Sequence, residues 1–514
     1  VLKHCEGTGR VKQYSIIDNY CAPQEFVVFN TNISNLARAV NERLFYRCLD
    51  GVWQRPHEAD EVSVNKIITI VDKELRDLLP STAPMSYEDF ILGYTGRKRQ
   101  VYQEAIDSLK QFPLQKKDWE LQAFGKVEKL ALKEDPSKMI MRVIQTRSPR
   151  YHASLGIYTR KVEHDIYLAV DAMVRRGSKG ILGEKTILKG LNCIDQATHI
   201  VNKFRRFHNP VVISADAKRF DQSVGAIISK LEHQIYAWCF KRKKDREILM
   251  ELLSKQLENV GRGFCRDGKL KYKLGPSRCS GDMNTGLGNC VLMTVMMYCF
   301  LKHHLKIDKF AVADNGDDVF IIVEQELLSL VQDNMYNYFY ELGFIMEIEE
   351  PVYQIEQISF CQTQPVFDGE RYRMVRNPHH SLTKDAISIK PFQSQMEMAN
   401  FLHSVGEGGL SLTGGLPVLQ DYYQSMINNS IINNPTNKKF KDILTERDGF
   451  YWQRRGMSQK YKPVSEAARA SFAIAFGIMP DVQAEMEEYY SKLIVKYQND
   501  PMINSTRGEH KYFF

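Results

Sequence analysis

Apolar positions along this chain group into short β-branched runs, helix-length stretches and Gly-broken loops, most clearly in its centre. Val211-Val-Ile-Ser-Ala215 predicts a strand that ends at Asp216, and the stretch from Ser223 to Phe240 predicts a helix after it. The most apolar run, Cys290 to Leu301, predicts a buried helix. It falls short of the roughly twenty residues that cross a bilayer. Two further apolar runs, Phe310 to Ala313 and Val319 to Val323, flank Asp314-Asn-Gly-Asp-Asp318. Strand-like runs around an Asn-Gly step predict a β-hairpin.

The flanking regions are less regular. Asn32 to Leu49 predicts a helix; Tyr94 to Arg99 predicts a loop with a Gly break, followed by a helix over Tyr102 to Leu109. Lys126 to Arg150 reads as a strand-like region studded with Lys and Arg, and Lys241 to Tyr272 is again strongly basic. Gly275 to Gly288 is a Gly-rich loop. Beyond Arg371 the segments read mostly as helices, interrupted at Gly406 to Gly415 and at Pro435; within the first, Gly408 to Gly415 predicts a loop or hinge.

Composition narrows the partners only slightly. The 514 residues are 43% hydrophobic and 25% charged, an ordinary globular balance, and the formal charge of +7 leans towards polyanions. Ten cysteines include no CxxC pair. Reduced thiols fit that pattern better than a disulfide framework or a zinc site. The pairs His303–His304 and His379–His380 read as solvated or core histidines. No signal peptide is visible, and a start at Val1 rather than Met suggests an upstream extension.

The carboxylates change the picture. Asp216 stands at a predicted strand end, and Asp317 and Asp318 at a predicted hairpin tip. Phosphoryl transfer to a sugar hydroxyl needs two divalent cations about 3.5–4 Å apart. Neighbouring strands lie about 4.8 Å apart, so carboxylates on two adjacent strand ends can share one ion pair. Each motif alone is weak; their order, strand–Asp, Gly-rich loop and helix, then acidic hairpin, is not.

The wording of these segments resembles a known family. Asp216-Ala-Lys-Arg-Phe-Asp221, Ser280-Gly-Asp-Met-Asn-Thr-Gly-Leu-Gly-Asn289 and Asn315-Gly-Asp-Asp318 resemble motifs A, B and C of viral RNA-dependent RNA polymerases, in the form used by the tombusvirus family of plant viruses, nearest the carmovirus branch. Tyr94 to Arg99, Arg142 to Tyr151 and Phe360-Cys-Gln362 also match its patterns. The resemblance implies that Asp216, Asp317 and Asp318 are catalytic and, with Ala217, hold two Mg²⁺ or Mn²⁺ ions. It implies nucleotide contacts from Asp221, Ser280, Thr285 and Asn289, where a carboxylate, hydroxyl and amide can together read a ribose 2′-OH. Arg142, Arg147 and Arg150 fall where the family grips the triphosphate. Lys138 is grouped with them, although family members often carry Lys-Pro-Arg and here the wording is Lys138-Met-Ile-Met-Arg142.

Template and product RNA contacts are implied for Gly281, Tyr94, Gly96, Arg97, Lys98, Arg99, Lys126, Cys361 and Gln362, with Arg205-Arg206 and Lys241 to Lys244 as further basic clusters. The general acid for pyrophosphate is unassigned; Glu347 stands near the place where a basic residue is common. The implied fold is an α+β right hand: fingers over 1–205 and 241–273, palm over 206–240 and 274–370, and a mostly helical thumb over 371–514. The implied activity is template-directed ribonucleotidyl transfer, able to start without a primer. Implied partners are viral RNA, NTPs, an upstream replicase segment or auxiliary protein, and host factors. Its implied place is the host cytoplasm, in membrane-associated replication complexes that the chain joins through its upstream part. A reverse transcriptase would favour a bulky group at the sugar gate, and a non-catalytic RNA-binding factor would not need the three aspartates.

Overall fold

The computed structural model describes residues 1–10, 12, 14–17, 20, 26–49, 51–131, 135–179, 183–434, 439–440 and 456–497. The strands that frame the site are, in chain order, β1 (Leu2–His4), β2 (Leu121–Gly125), β3 (Val143–Thr146), β4 (Pro210–Ala217), β5 (Asn259–Cys265), β6 (Gly268–Leu274), β7 (Ala311–Asp314), β8 (Asp318–Glu324) and β9 (Met346–Ile348). The helices used below are α1 (Ile33–Val40), α2 (Gly96–Gln111), α3 (Pro149–Gly177), α4 (Ala226–Trp238), α5 (Lys243–Ser254), α6 (Thr285–Tyr298), α7 (Gln395–Thr413) and α8 (Leu419–Ile432). Helices and sheets together make this an α+β chain, as the sequence predicts.

The central sheet has the order β7-β8-β4-β9 and is antiparallel throughout. Val211 to Ile213 on β4 and Val319 to Val323 on β8 are buried, so both faces of these strands are covered. That explains why they read as continuous apolar runs rather than alternating ones. Helix α6 is apolar on every side because every residue from Leu287 to Tyr298 is buried. It continues through a wider turn, Cys299–His304. The continuous helix Thr285–His304 is therefore longer than the apolar run suggested, long and apolar enough to cross a membrane by length and composition, yet 83% of its apolar window lies inside the protein.

A second, five-stranded sheet has the order β1-β6-β5-β2-β3. One face, with Ala123, Val143, Leu270, Tyr272 and Leu274, packs against α1 in a separate apolar cluster. The basic stretch after Lys241 forms α5 and the β5–β6 hairpin of this sheet.

Several predicted elements differ. The helix expected over Asn32 to Leu49 stops being regular at Val40, passes through a wider turn at Asn41–Phe45, and gives way to a strand at Arg47–Leu49, which pairs with Val52–Gln54. Helix α2 starts at Gly96, so Arg97, Lys98 and Arg99 lie on its first turn instead of in a loop. The strand-like region ends at Thr146: Ser148 caps α3 by accepting from the Tyr151 N–H at 3.2 Å, and Pro149 sets the first helical turn. Arg150 is thus helical.

The Gly406 to Gly415 segment is no hinge. It lies mainly within α7, where a Cβ on Gly406 would stand 2.7 Å from Ile427 and one on Gly409 would stand 2.2 Å from the Tyr423 ring. These glycines serve close helix packing against α8, which composition alone cannot distinguish from a flexible loop. Pro435 lies outside the described residues.

Candidate active site

The register of the central sheet builds the site. Asp216 on β4 is paired directly with Asp318 on β8, and on its other side with Glu347 on β9. Directly opposite residues share a face, with Cβ atoms about 4.5–5.5 Å apart. Three acidic side chains therefore line up across three strand ends. Asp317 joins them from the hairpin loop, whose turn relies on Gly316 at φ 102°, a left-handed value that favours glycine. Ala217, one residue beyond Asp216, is buried and pairs with Met346.

The charges repel one another. Burial, followed by the charges of Asp317, Glu347 and Glu349, raises the Asp216 carboxyl above its ordinary range. Burial, followed by Asp317 and Asp216, raises Asp318 to about 6. Glu347 is compensated by Lys218 at 2.7 Å. Among the described residues no ion pair reaches Asp216, Asp317 or Asp318. Nor does any group of three His, Cys, Asp or Glu form a closed cation cage there. Mg²⁺ does not need one, since it binds through one or two carboxylates with water and substrate phosphates. Carboxylates lined up across neighbouring strand ends, with no Lys or Arg paired to Asp216, Asp317 or Asp318 among the described residues, fit such ions.

Behind this row lies a buried polar chain. Asn289 donates from Nδ2 to Asp221 Oδ1 at 2.9 Å, and its Oδ1 accepts from Arg278 Nε at 3.1 Å. Arg278 forms a bidentate ion pair with Glu232 on α4, and its backbone N–H donates to the Asp221 carbonyl at 3.1 Å. Asn284 and Tyr236 also donate to Glu232, each at 2.7 Å. Burial raises the Asp221 carboxyl. Arg278 and Glu232 were missed from sequence. The available signal was one acidic residue, Glu232, among the buried apolar positions Ile228, Leu231 and Ile235 of α4.

The loop before α6 is braced by protein. The Thr285 hydroxyl donates to the Cys279 carbonyl at 2.7 Å, and the Ser280 hydroxyl lies 3.5 Å from the Val143 carbonyl. Gly281 donates its N–H to Gln145 O at 2.9 Å, and a Cβ there would meet that same carbonyl at 2.3 Å. Its close neighbour here is β3, a different reason for glycine from the template approach expected.

Three arginine expectations divide. Arg142 is exposed, 3.5 Å from Glu128, and its charge is felt at Asp221. Lys126 lies 3.0 Å from the same Glu128. Arg147 needs correction. It is buried, and its guanidinium donates to Asp282, Asn259 and the carbonyls of Trp119 and Lys255. No donor is left for a triphosphate. Arg150 is likewise committed, to Asp118, Ser108 and the carbonyls of Phe112 and Pro113, which ties α3 to the end of α2. Lys138 is exposed on a short turn, 3.5 Å from Asp135. Arg43, not singled out from sequence, donates to the carbonyls of Ile140 (2.9 Å) and Met141 (3.1 Å), so it positions the segment carrying Arg142.

Of the residues expected to contact RNA, Tyr94 is also corrected. Its ring is buried against Phe90 and Tyr102, with Arg160 and Lys98 over it. Gly96 takes φ 53° at the start of α2, and Arg97, Lys98 and Arg99 are exposed beside it. Cys361 is brought to the acidic row: its N–H donates to Asp318 Oδ2 at 3.1 Å, and its Sγ accepts from Asn315 Nδ2 at 2.9 Å. Cys361 and Gln362 both hold left-handed backbone (φ 51° and 61°), an uncommon turn for two non-glycine residues.

Comparison with known proteins gives the family of the chain. A family model described as viral RNA dependent RNA polymerase matches residues 8–498. The RNA-directed RNA polymerase of Tobacco necrosis virus (strain A) is 39% identical over 468 residues, covering 90% of this chain and 61% of that protein. That of Turnip crinkle virus is 35% identical over 480 residues (93% and 59%), and that of Carnation mottle virus 35% over 485 (94% and 60%). The chain thus spans 59–61% of the length of these three relatives. With a match along nearly its whole length, the chain belongs to the viral RNA-dependent RNA polymerases, in the plant-virus group of tombusvirus type.

Proposed function

We propose that this chain carries the polymerising centre of a plant-virus replicase, adding ribonucleotides to an RNA 3′ end on an RNA template. The observation that carries the reading is the register that sets Asp216 opposite Asp318. In this reading the 3′ oxygen bonds to the α-phosphorus of the NTP, and the bond to the β-phosphate breaks to release pyrophosphate. Two Mg²⁺ or Mn²⁺ ions, when bound, activate the attacking oxygen and neutralise the triphosphate. Asp216, Asp317 and Asp318 would hold them, with Ala217 beside.

The remaining residues orient the nucleotide. Asp221 and Asn289 present an acceptor and an amide to the ribose, and Arg142 offers an exposed planar fork to phosphate oxygens. Arg97 and Arg99 lie at the positive end of the α2 dipole, where cations are disfavoured and an RNA phosphate would compensate them. In right-hand terms, the central sheet is palm (206–240 and 274–370), the five-stranded sheet and α2 are fingers (1–205 and 241–273), and 371–514 is thumb. Primer-independent initiation, upstream and host partners, and a place in membrane-associated complexes of the host cytoplasm belong to the same proposal.

The test is to incubate the purified chain with short unprimed RNA, labelled NTPs and Mg²⁺ or Mn²⁺, beside an Asp318→Ala control. Template-length product from the parent chain alone supports the reading. Equal product from both chains, or none from the parent on primed and unprimed RNA, overturns it.

A further inference from the structure

The outer face of the five-stranded sheet is unlike its buried face. Lys269, Lys271 and Lys273 alternate outward along β6, Arg262 and Phe264 along β5, and Phe124 on β2. Phe124 and Phe264 are 47% and 62% exposed. They sit one residue beyond the paired Ala123 and Gly263 on adjacent parallel strands, so the two side chains leave neighbouring strands on the same face. Burying either ring on the other face would have been the ordinary outcome for a phenylalanine.

The cations are placed at a cost. Lys3 is directly opposite Lys269, and Arg262 directly opposite Lys271. Like charges in directly opposed positions destabilise a sheet. Arg262 has Glu120 at 2.7 Å, but among the described residues no acidic group pairs with Lys3, Lys269, Lys271 or Lys273. A polyanion lying across the strands would relieve both pairs. The face also leads to the candidate site. Gln122 pairs with Thr146 on β3, and a Cβ on Gly281 would come within 3.0 Å of the Thr146 Cβ.

We infer that this sheet face is a platform for single-stranded RNA, with bases stacking on Phe124 and Phe264 and phosphates held by the lysines of β6. Exposed aromatics among cations, on one pleated face, suit single strands because every base offers a ring and duplex bases are already stacked. The strand is the template on its way to the loop at Gly281, which rests on the polymerase reading. The binding surface itself does not.

The test measures fluorescence anisotropy of the whole chain with an unstructured labelled RNA, a duplex RNA and heparin, across a salt series. Phe124→Ala/Phe264→Ala is expected to weaken single-strand binding tenfold or more while heparin binding stays within twofold. Lys269→Gln/Lys271→Gln/Lys273→Gln is expected to lower the salt slope by about 2, given about 0.7 per phosphate contact on single strands. Single-strand affinity within twofold of the parent in the phenylalanine variant overturns the platform, and so does equal loss for all three polyanions. Should either variant fold poorly, photocrosslinking of 5-iodouridine RNA to the unaltered chain decides the matter. Crosslinks within 121–125 and 259–265 support the platform; their absence, with crosslinks elsewhere, overturns it. A chain that binds this way yet adds no nucleotides would sink the polymerase reading alone.

Discussion

Arg278 donates from Nε to the Asn289 amide oxygen, and that single bond decides which end of the amide faces Asp221. Flipping the amide would set its NH₂ against a guanidinium N–H and its oxygen against a carboxylate. Both contacts would be repulsive. Glu232 on α4 in turn holds Arg278, so a buried ion pair between α4 and the loop before α6 orients a residue at the proposed sugar site.

Arg278→Lys keeps a charge for Glu232 but removes the planar fork. We expect the KM for NTPs to rise and the preference for ribo- over deoxyribonucleotides to fall by roughly 5- to 150-fold, the worth of about 1–3 kcal/mol in a buried hydrogen bond. Competing NTP and dNTP incorporation measures this. Unchanged discrimination in a folded variant would show that Arg278 acts only as a brace.

Asp216→Asn should abolish nucleotide addition and at the same time raise thermal stability. The substitution removes one charge from a row in which Asp317, Asp318 and Glu347 already repel it. Relief of cross-strand like-charge repulsion is worth about 0.2–1 kcal/mol. Paired melting curves and incorporation assays would show the two effects in opposite directions, and a less stable variant would count against the like-charge account.

His152 should make stability fall on acidification. Burial on α3, reinforced by Arg147 and Lys98 and opposed by Asp282, lowers its pKa from 6.5 to about 4, and Nε2 has no partner among the described residues. Below pH 6.5 the unfolded chain takes up a proton that the folded chain refuses until about pH 4. Stability present above 6.5 is therefore lost through this window, on the order of 3 kcal/mol in all. Comparing denaturant midpoints at pH 7 and pH 5, His152→Gln should show a smaller drop than the parent chain; an equal drop would remove His152 as its source.

Gly409→Ala should destabilise the chain, although alanine ordinarily favours a helix interior by about 0.5–1 kcal/mol. The added methyl would overlap the Tyr423 ring at 2.2 Å. Overpacking of this kind costs typically about 1–3 kcal/mol, enough to outweigh the propensity gain. A raised melting temperature would mean that α7 and α8 move apart freely.

The elements legible in the sequence were those whose pattern is local. β4, the β7–β8 hairpin and α6 could be read because apolar runs, an Asn-Gly step and a Gly-rich loop act within a few residues of themselves. The three aspartates stood out as candidates because an acidic residue at a strand end and an acidic pair at a hairpin tip are both visible in the local pattern. The glycines of α7 misled, since glycine permits a flexible loop and a tight helix contact equally.

What only the tertiary structure decided was which polar groups spend their hydrogen bonds inside the protein. Arg142, Arg147 and Arg150 are alike in sequence, yet every N–H of the Arg147 guanidinium is taken by acceptors from other segments, Arg150 is largely committed to Asp118, Ser108 and two carbonyls, and Arg142 remains open. The Arg278–Glu232 pair joins residues on separate elements, and the outward face of the five-stranded sheet gathers strands from three regions of the chain. Backbone pattern is set by near neighbours, whereas the satisfaction of a buried charge depends on whatever the fold brings beside it.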